Sequence, residues 1–88
     1  MFGNKLREAE GALSRYRKAI IAVPVGEQSD LEKHAEMAAE VIAAIAAGDA
    51  VEAFNLNRIF WWHVSDSFVT QPPEFKKLSS CLRAIAPR

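Results

Sequence analysis

Cysteine, glycine and proline are all scarce in this chain, and each scarcity removes a class of answer. The single cysteine, Cys81, excludes an internal disulfide framework and fits a reducing compartment. Four glycines and four prolines in 88 residues leave little room for disorder or for a turn-dense all-β architecture. Long hydrophobic runs are missing as well. The longest nearly uncharged stretch, Met37 to Ala47, is interrupted by Glu40 and is too short to span a bilayer. The first twenty residues carry Lys5, Arg7, Glu8, Glu10, Arg15, Arg17 and Lys18, so no secretory hydrophobic segment is expected there. The expected setting is the cytoplasm, with no membrane partner.

An excess of one charge is also lacking. The net charge is zero, yet the charges are blocky: +3 over residues 1–26, −6 over 27–52 and +3 over 53–88. A nucleic-acid binder usually shows a basic face without an equal acidic counterweight. Here the acidic middle reads as the complement of the two basic flanks. The alternative is a nucleic-acid-associated regulator using the basic first and last helices, through Arg15, Arg17, Lys18, Lys76 and Lys77. Against it, Tyr16 falls on the core stripe, and the helix after the tightest turn is hydrophobic rather than basic.

Catalytic and metal-binding patterns are absent from the sequence. There is no Cys-x-x-Cys and no His-Glu-x-x-His; the ligand candidates are His34, His63, Cys81 and scattered carboxylates. His63 and Asp66 stand three apart on one face, a spacing that a surface hydrogen bond explains equally well. The glycines form no phosphate-cradling loop, and nothing brings an acid, a base and a nucleophile together. A cysteine beside an apolar stripe reads as a small packed hydrophobe. The expectation is a protein that is not an enzyme and takes no cofactor and no metal.

What is present is helical periodicity in a single domain, residues 1–88. Phe2, Leu6, Ala9, Leu13, Tyr16, Ile20 and Val23 repeat at heptad-like spacing, predicting a helix over 5–22 that Pro24 and Gly26 end. Ser29 with Glu32 reads as a capping box, opening a helix over 30–47 with the stripe Leu31, Ala35 (or His34), Ala38, Val41/Ile42 and Ile45. Gly48 is a C-terminal cap, and Asp49 with Glu52 starts a third helix, 50–69, so the two form a tight αα-hairpin. After Thr70-Gln71-Pro72-Pro73, the spacing of Phe75, Leu78, Leu82 and Ile85 predicts a fourth helix, 74–85. The fold expected is an all-α, compact four-helix bundle with short connections.

Both tryptophans, Trp61 and Trp62, sit side by side on the most apolar of these helices. Adjacent helical residues point about 100° apart, so the two cannot share one narrow face. With Val51 at 0°, Phe54, Phe60, Trp61, Val64 and Phe68 fall between roughly 180° and 300°. Val51, Trp62 and Val69 fall near 0–20°, beside Arg58, and a polar strip containing Ile59 lies at about 40–120°. An apolar arc that wide predicts a helix central to the bundle or shared between subunits. Trp61, Phe54 and Phe68 are the expected core residues. Trp62, Arg58, Ile59, Val51 and Val69 are the expected partner-binding residues, since tryptophan and arginine concentrate at binding hot spots. What covers Trp62 has three answers: another helix of this chain, a second copy, or a foreign protein.

Two local resemblances stand in these helices. Residues 42–53, Ile42-Ala43-Ala44-Ile45-Ala46-Ala47-Gly48-Asp49-Ala50-Val51-Glu52-Ala53, resemble the helix–Gly-Asp–helix turn of ligand-binding domains in the GntR regulator family. The chain has no winged-helix segment, and its histidines are not at that family's metal-ligand intervals. The stretch from Glu52 to Leu82, with Asn57-Arg58-Ile59-Phe60-Trp61, a proline break and a last helix, resembles the FlaF flagellar regulators. Pro72-Pro73 stands where that family has Leu-Pro, and the last helix lacks the family's tryptophan. The second resemblance implies a small helical protein working by protein contacts in flagellin expression. Read from its residues, the chain is expected to be a regulator or adaptor of bacterial or phage type. It is expected to bind another protein through the aromatic face of its third helix, as a homodimer.

Overall fold

The computed structural model describes residues 3–86 and is an all-α four-helix bundle. The helices are α1 (Gly3–Ile20), α2 (Val25–Ala46), α3 (Ala50–Asp66) and α4 (Glu74–Ile85). Phe2, the first residue of the stripe expected on the first helix, lies outside the described residues. The stripe on α1 buries Ala9, Ala12, Leu13, Tyr16 and Ile20, and that on α4 buries Leu78, Ser79, Cys81, Leu82 and Ile85. Both are narrow apolar faces at helical spacing, as expected of helices with one covered side. Arg17 and Lys18 end α1, where cations oppose the helix dipole.

Helix α2 starts one turn earlier than the sequence suggests, and the capping box at Ser29 and Glu32 goes unused. Pro24 takes the cap position with no side-chain bond, needing no amide partner of its own. The Gln28 carboxamide donates to the carbonyls of Ile21 (3.4 Å) and Val23 (3.2 Å), so the connection between α1 and α2 is held from inside α2. Glu27 adds a carboxylate in the first turn.

The turn between α2 and α3 forms as its residues demand. Gly48 adopts φ +76°, with its amide on the Ile45 carbonyl and the Asp49 amide on the Ala44 carbonyl, both 3.0 Å. This is a Schellman closure, which needs a left-handed residue. The Asp49 carboxylate then accepts from the Glu52 amide at 3.0 Å and caps α3. Only that half of the capping box forms, because the Asp49 amide is already committed to α2. Asp49→Ala is therefore expected to cost about 0.5–2 kcal/mol, read by urea denaturation, with no change in fold.

Helix α1 packs on both α2 and α4, while the backbone of α3 approaches only α2. Of the two expectations for the third helix, central to the bundle or shared between subunits, this overturns the first: α3 is an edge helix, and only Ala53 and Phe60 on it are buried. With α2 the one helix packed against it, α3 has nothing from the other helices over its far side.

An aromatic cluster ties α3 to the rest. The Phe60 ring lies 5.0 Å from Trp61 and 6.4 Å from Phe75, and Phe75 lies 5.8 Å from Tyr16. Beside the cluster, the Tyr16 hydroxyl donates to the Gln71 carbonyl oxygen (2.8 Å), and the Gln71 amide donates to Nδ1 of His34 (3.2 Å). Three segments, α1, α2 and the connection before α4, are thus joined through one glutamine.

Candidate protein-docking face

The site is the outer face of α3, and its local sequence explains how it is built. Asp49 fixes the first turn, and Ala53 and Phe60 turn inward against α2 and the aromatic cluster. Everything about 180° away must then point out. Trp62 is 63% exposed, Val51 74% and Ile59 47%. Arg58 stands over the Phe54 ring with 5.8 Å between guanidinium carbon and ring centroid, and Trp62 packs edge-on against His63 at 5.0 Å. Asn55, Asn57, Arg58, Ile59, Trp61 and Trp62 line an open hollow on this helix. Among the described residues with buried side-chain polar atoms, Asn57 leaves its Oδ1 without a hydrogen-bond partner.

Two of the three expected core residues are placed differently. Trp61 is half-buried, packed against the core with Arg83 over its ring at 4.7 Å and Phe75 at 6.3 Å. Phe54 is 40% exposed, because the inward direction of α3 is set by Ala53 and Phe60 and leaves Phe54 on the shoulder. Phe68 is fully exposed. The helix ends at Asp66, Ser67 turns extended, and helical angles no longer govern Phe68. The same ending separates Val69 from the other four expected contact residues. It lies in the connection to α4, half-buried against the core, and does not extend the α3 face. Trp62, Arg58, Ile59 and Val51 remain together on one exposed strip, joined by Phe54.

The other candidate chemistries occupy different environments. His34 is buried and engaged by Gln71, and Cys81 is buried. Burial pushes the His34 imidazole below its ordinary range, which keeps it neutral near pH 7. Burial also drives the Tyr16 phenol well above its ordinary range, against the opposing pull of its Gln71 hydrogen bond. Tyr16 is fully buried between the exposed Arg15 and Arg17, out of reach for stacking on a base. Among the described residues, no three His, Cys, Asp or Glu side chains are grouped to hold a metal ion. No helix among them is long and apolar enough to cross a membrane. The His34–Gln71–Tyr16 chain was missed by sequence reasoning; Tyr16 and His34 sat on or beside core stripes, but no periodic signal marked Gln71.

Compared with protein-family models, with curated proteins and with solved structures, the chain has no significant match to any.

Proposed function

We propose that this chain is a non-enzymatic interaction module, an adaptor or regulator acting in the cytoplasm, that binds another protein through the outer face of α3. The exposed Trp62 carries the reading. It lies on a continuous strip with Val51, Phe54, Arg58 and Ile59, on a helix that its own bundle covers from one side only. Large apolar side chains left together on a small protein mark binding surfaces, and tryptophan and arginine are both enriched at binding hot spots.

The test is capture of interacting protein on the immobilised chain, wild type against Trp62→Ala. The variant should keep its helicity and melting temperature and lose roughly thirtyfold or more in affinity, as a hot spot does. Unfolding of the variant would instead place Trp62 among the residues that hold the fold together. Undiminished binding by a folded variant would sink the reading.

A further inference from the structure

The α3 face is self-complementary in charge. Phe54, Arg58, Trp62 and Asp66 fall on one i, i+4 row, the ridge that helices use when they pack against each other. A two-fold axis across a helix reverses its direction, so the residue four before the axis meets the residue four after it on the other copy. With the axis at Trp62, those residues are Arg58 and Asp66, a cation and an anion, each about 6 Å along the helix from the centre. We infer that the partner of this face is a second copy of the chain, docked as an antiparallel α3–α3 pair centred on Trp62, with Arg58 of each copy paired to Asp66 of the other. This rests on the docking role proposed above and names the occupant of its Arg58–Asp66 end; Val51 and Phe54 lie beyond the two-helix overlap, because α3 ends at Asp66.

Neighbouring arrangements are disfavoured by the same residues. An axis at Arg58 sets two guanidinium groups together, and one at Asp66 sets two carboxylates together. A two-residue slip lays Asp66 against the Phe54 ring, burying a carboxylate on an apolar surface. A parallel pair aligns every charge with its own kind. Only the Trp62-centred antiparallel register stacks the large indoles at the centre and places opposite charges at both ends. The chain's net charge of zero adds no long-range repulsion between copies. Because both ion pairs are reciprocal, one reversed charge per chain spoils two contacts in the dimer.

Sedimentation equilibrium of the full chain over a wide concentration range tests this directly. Wild type should dimerise, and Trp62→Ala should be monomeric. Arg58→Asp and Asp66→Arg should each weaken dimerisation roughly tenfold or more at low salt, and the double reversal should return it towards wild type. Arg58 and Asp66 are both exposed, and circular dichroism should show all three charge variants folded. A monomer at every concentration overturns self-association; if capture of another protein still requires Trp62, the docking reading survives that result. A dimer lost in Trp62→Ala but not rescued by the double reversal overturns this register. A dimer indifferent to all four variants, with capture also indifferent to Trp62, overturns both.

Discussion

Phe60→Ala should cost about 3–5 kcal/mol and lower the melting temperature by on the order of 20 °C, while Trp62→Ala, two residues away, should barely move either. Phe60 is fully buried, and its ring bridges α3 to Phe75 at the start of α4. The backbone of α3 approaches no helix but α2, and Phe60 is the one large side chain of α3 that is fully buried, with Leu56, Trp61 and Val64 packed partly against the core beside it. Removing the ring leaves a cavity between three elements and withdraws the contacts of Trp61 and Phe75 along with it. A domain of this size holds on the order of 4–13 kcal/mol in total, so the loss is a large share of it. Thermal melts by circular dichroism would read the difference between the two variants. Similar destabilisation by both would mean that Trp62 is covered within the folded chain, and the argument for a docking face would go with it.

That contrast also shows what the sequence carries and what it does not. The stripes on α1 and α4, the Gly48–Asp49 turn and the division of Trp61 from Trp62 are all local matters of spacing, and each is legible without coordinates. The position of α3 is not. A wide apolar arc says how much surface wants cover, but it is the same arc for a central helix and for an edge helix whose far side awaits a partner. Phe68 illustrates a second limit: a wheel assumes that the helix continues, and Ser67 ends it one residue too early. The start of α2 is a third. Ser29 and Glu32 satisfy the capping pattern, yet Gln28 reaching back to the Ile21 and Val23 carbonyls lets the helix begin at Val25. Gln71 is the fourth. It sits in an irregular segment before two prolines, where no periodicity applies, and its importance exists only once Tyr16 and His34 have been brought to it.

The stability of the bundle should fall on mild acidification, and Gln71 and His34 set the window. A glutamine amide nitrogen can only donate, so His34 Nδ1 must accept, which requires the neutral imidazole with its proton on Nε2. Burial is the main cause of the lowered His34 pKa. Asp30 and the His63 main chain pull it back up, and the His63 ring and Lys33 push it further down. The folded pKa therefore lies below the ordinary value of 6.5, and the unfolded chain takes up the proton first. The contribution is complete above 6.5 and is lost as pH falls from there towards the folded value, with a slope of at most about 1.4 kcal/mol per pH unit from one proton. Urea denaturation at pH 7.5 and pH 5.5 should show this as a lower midpoint in acid. His34→Gln, which keeps an acceptor for the Gln71 amide, should flatten the dependence; a slope unchanged in that variant would assign the effect to other groups. Gln71→Ala should cost about 2–4 kcal/mol at neutral pH, because it strands two buried groups at once, the Tyr16 hydroxyl and His34 Nδ1. Tyr16→Phe in the same background removes one of those stranded groups and should recover part of the loss. The recovery separates an unsatisfied phenol from a simple loss of packing, which the extra substitution would not repair.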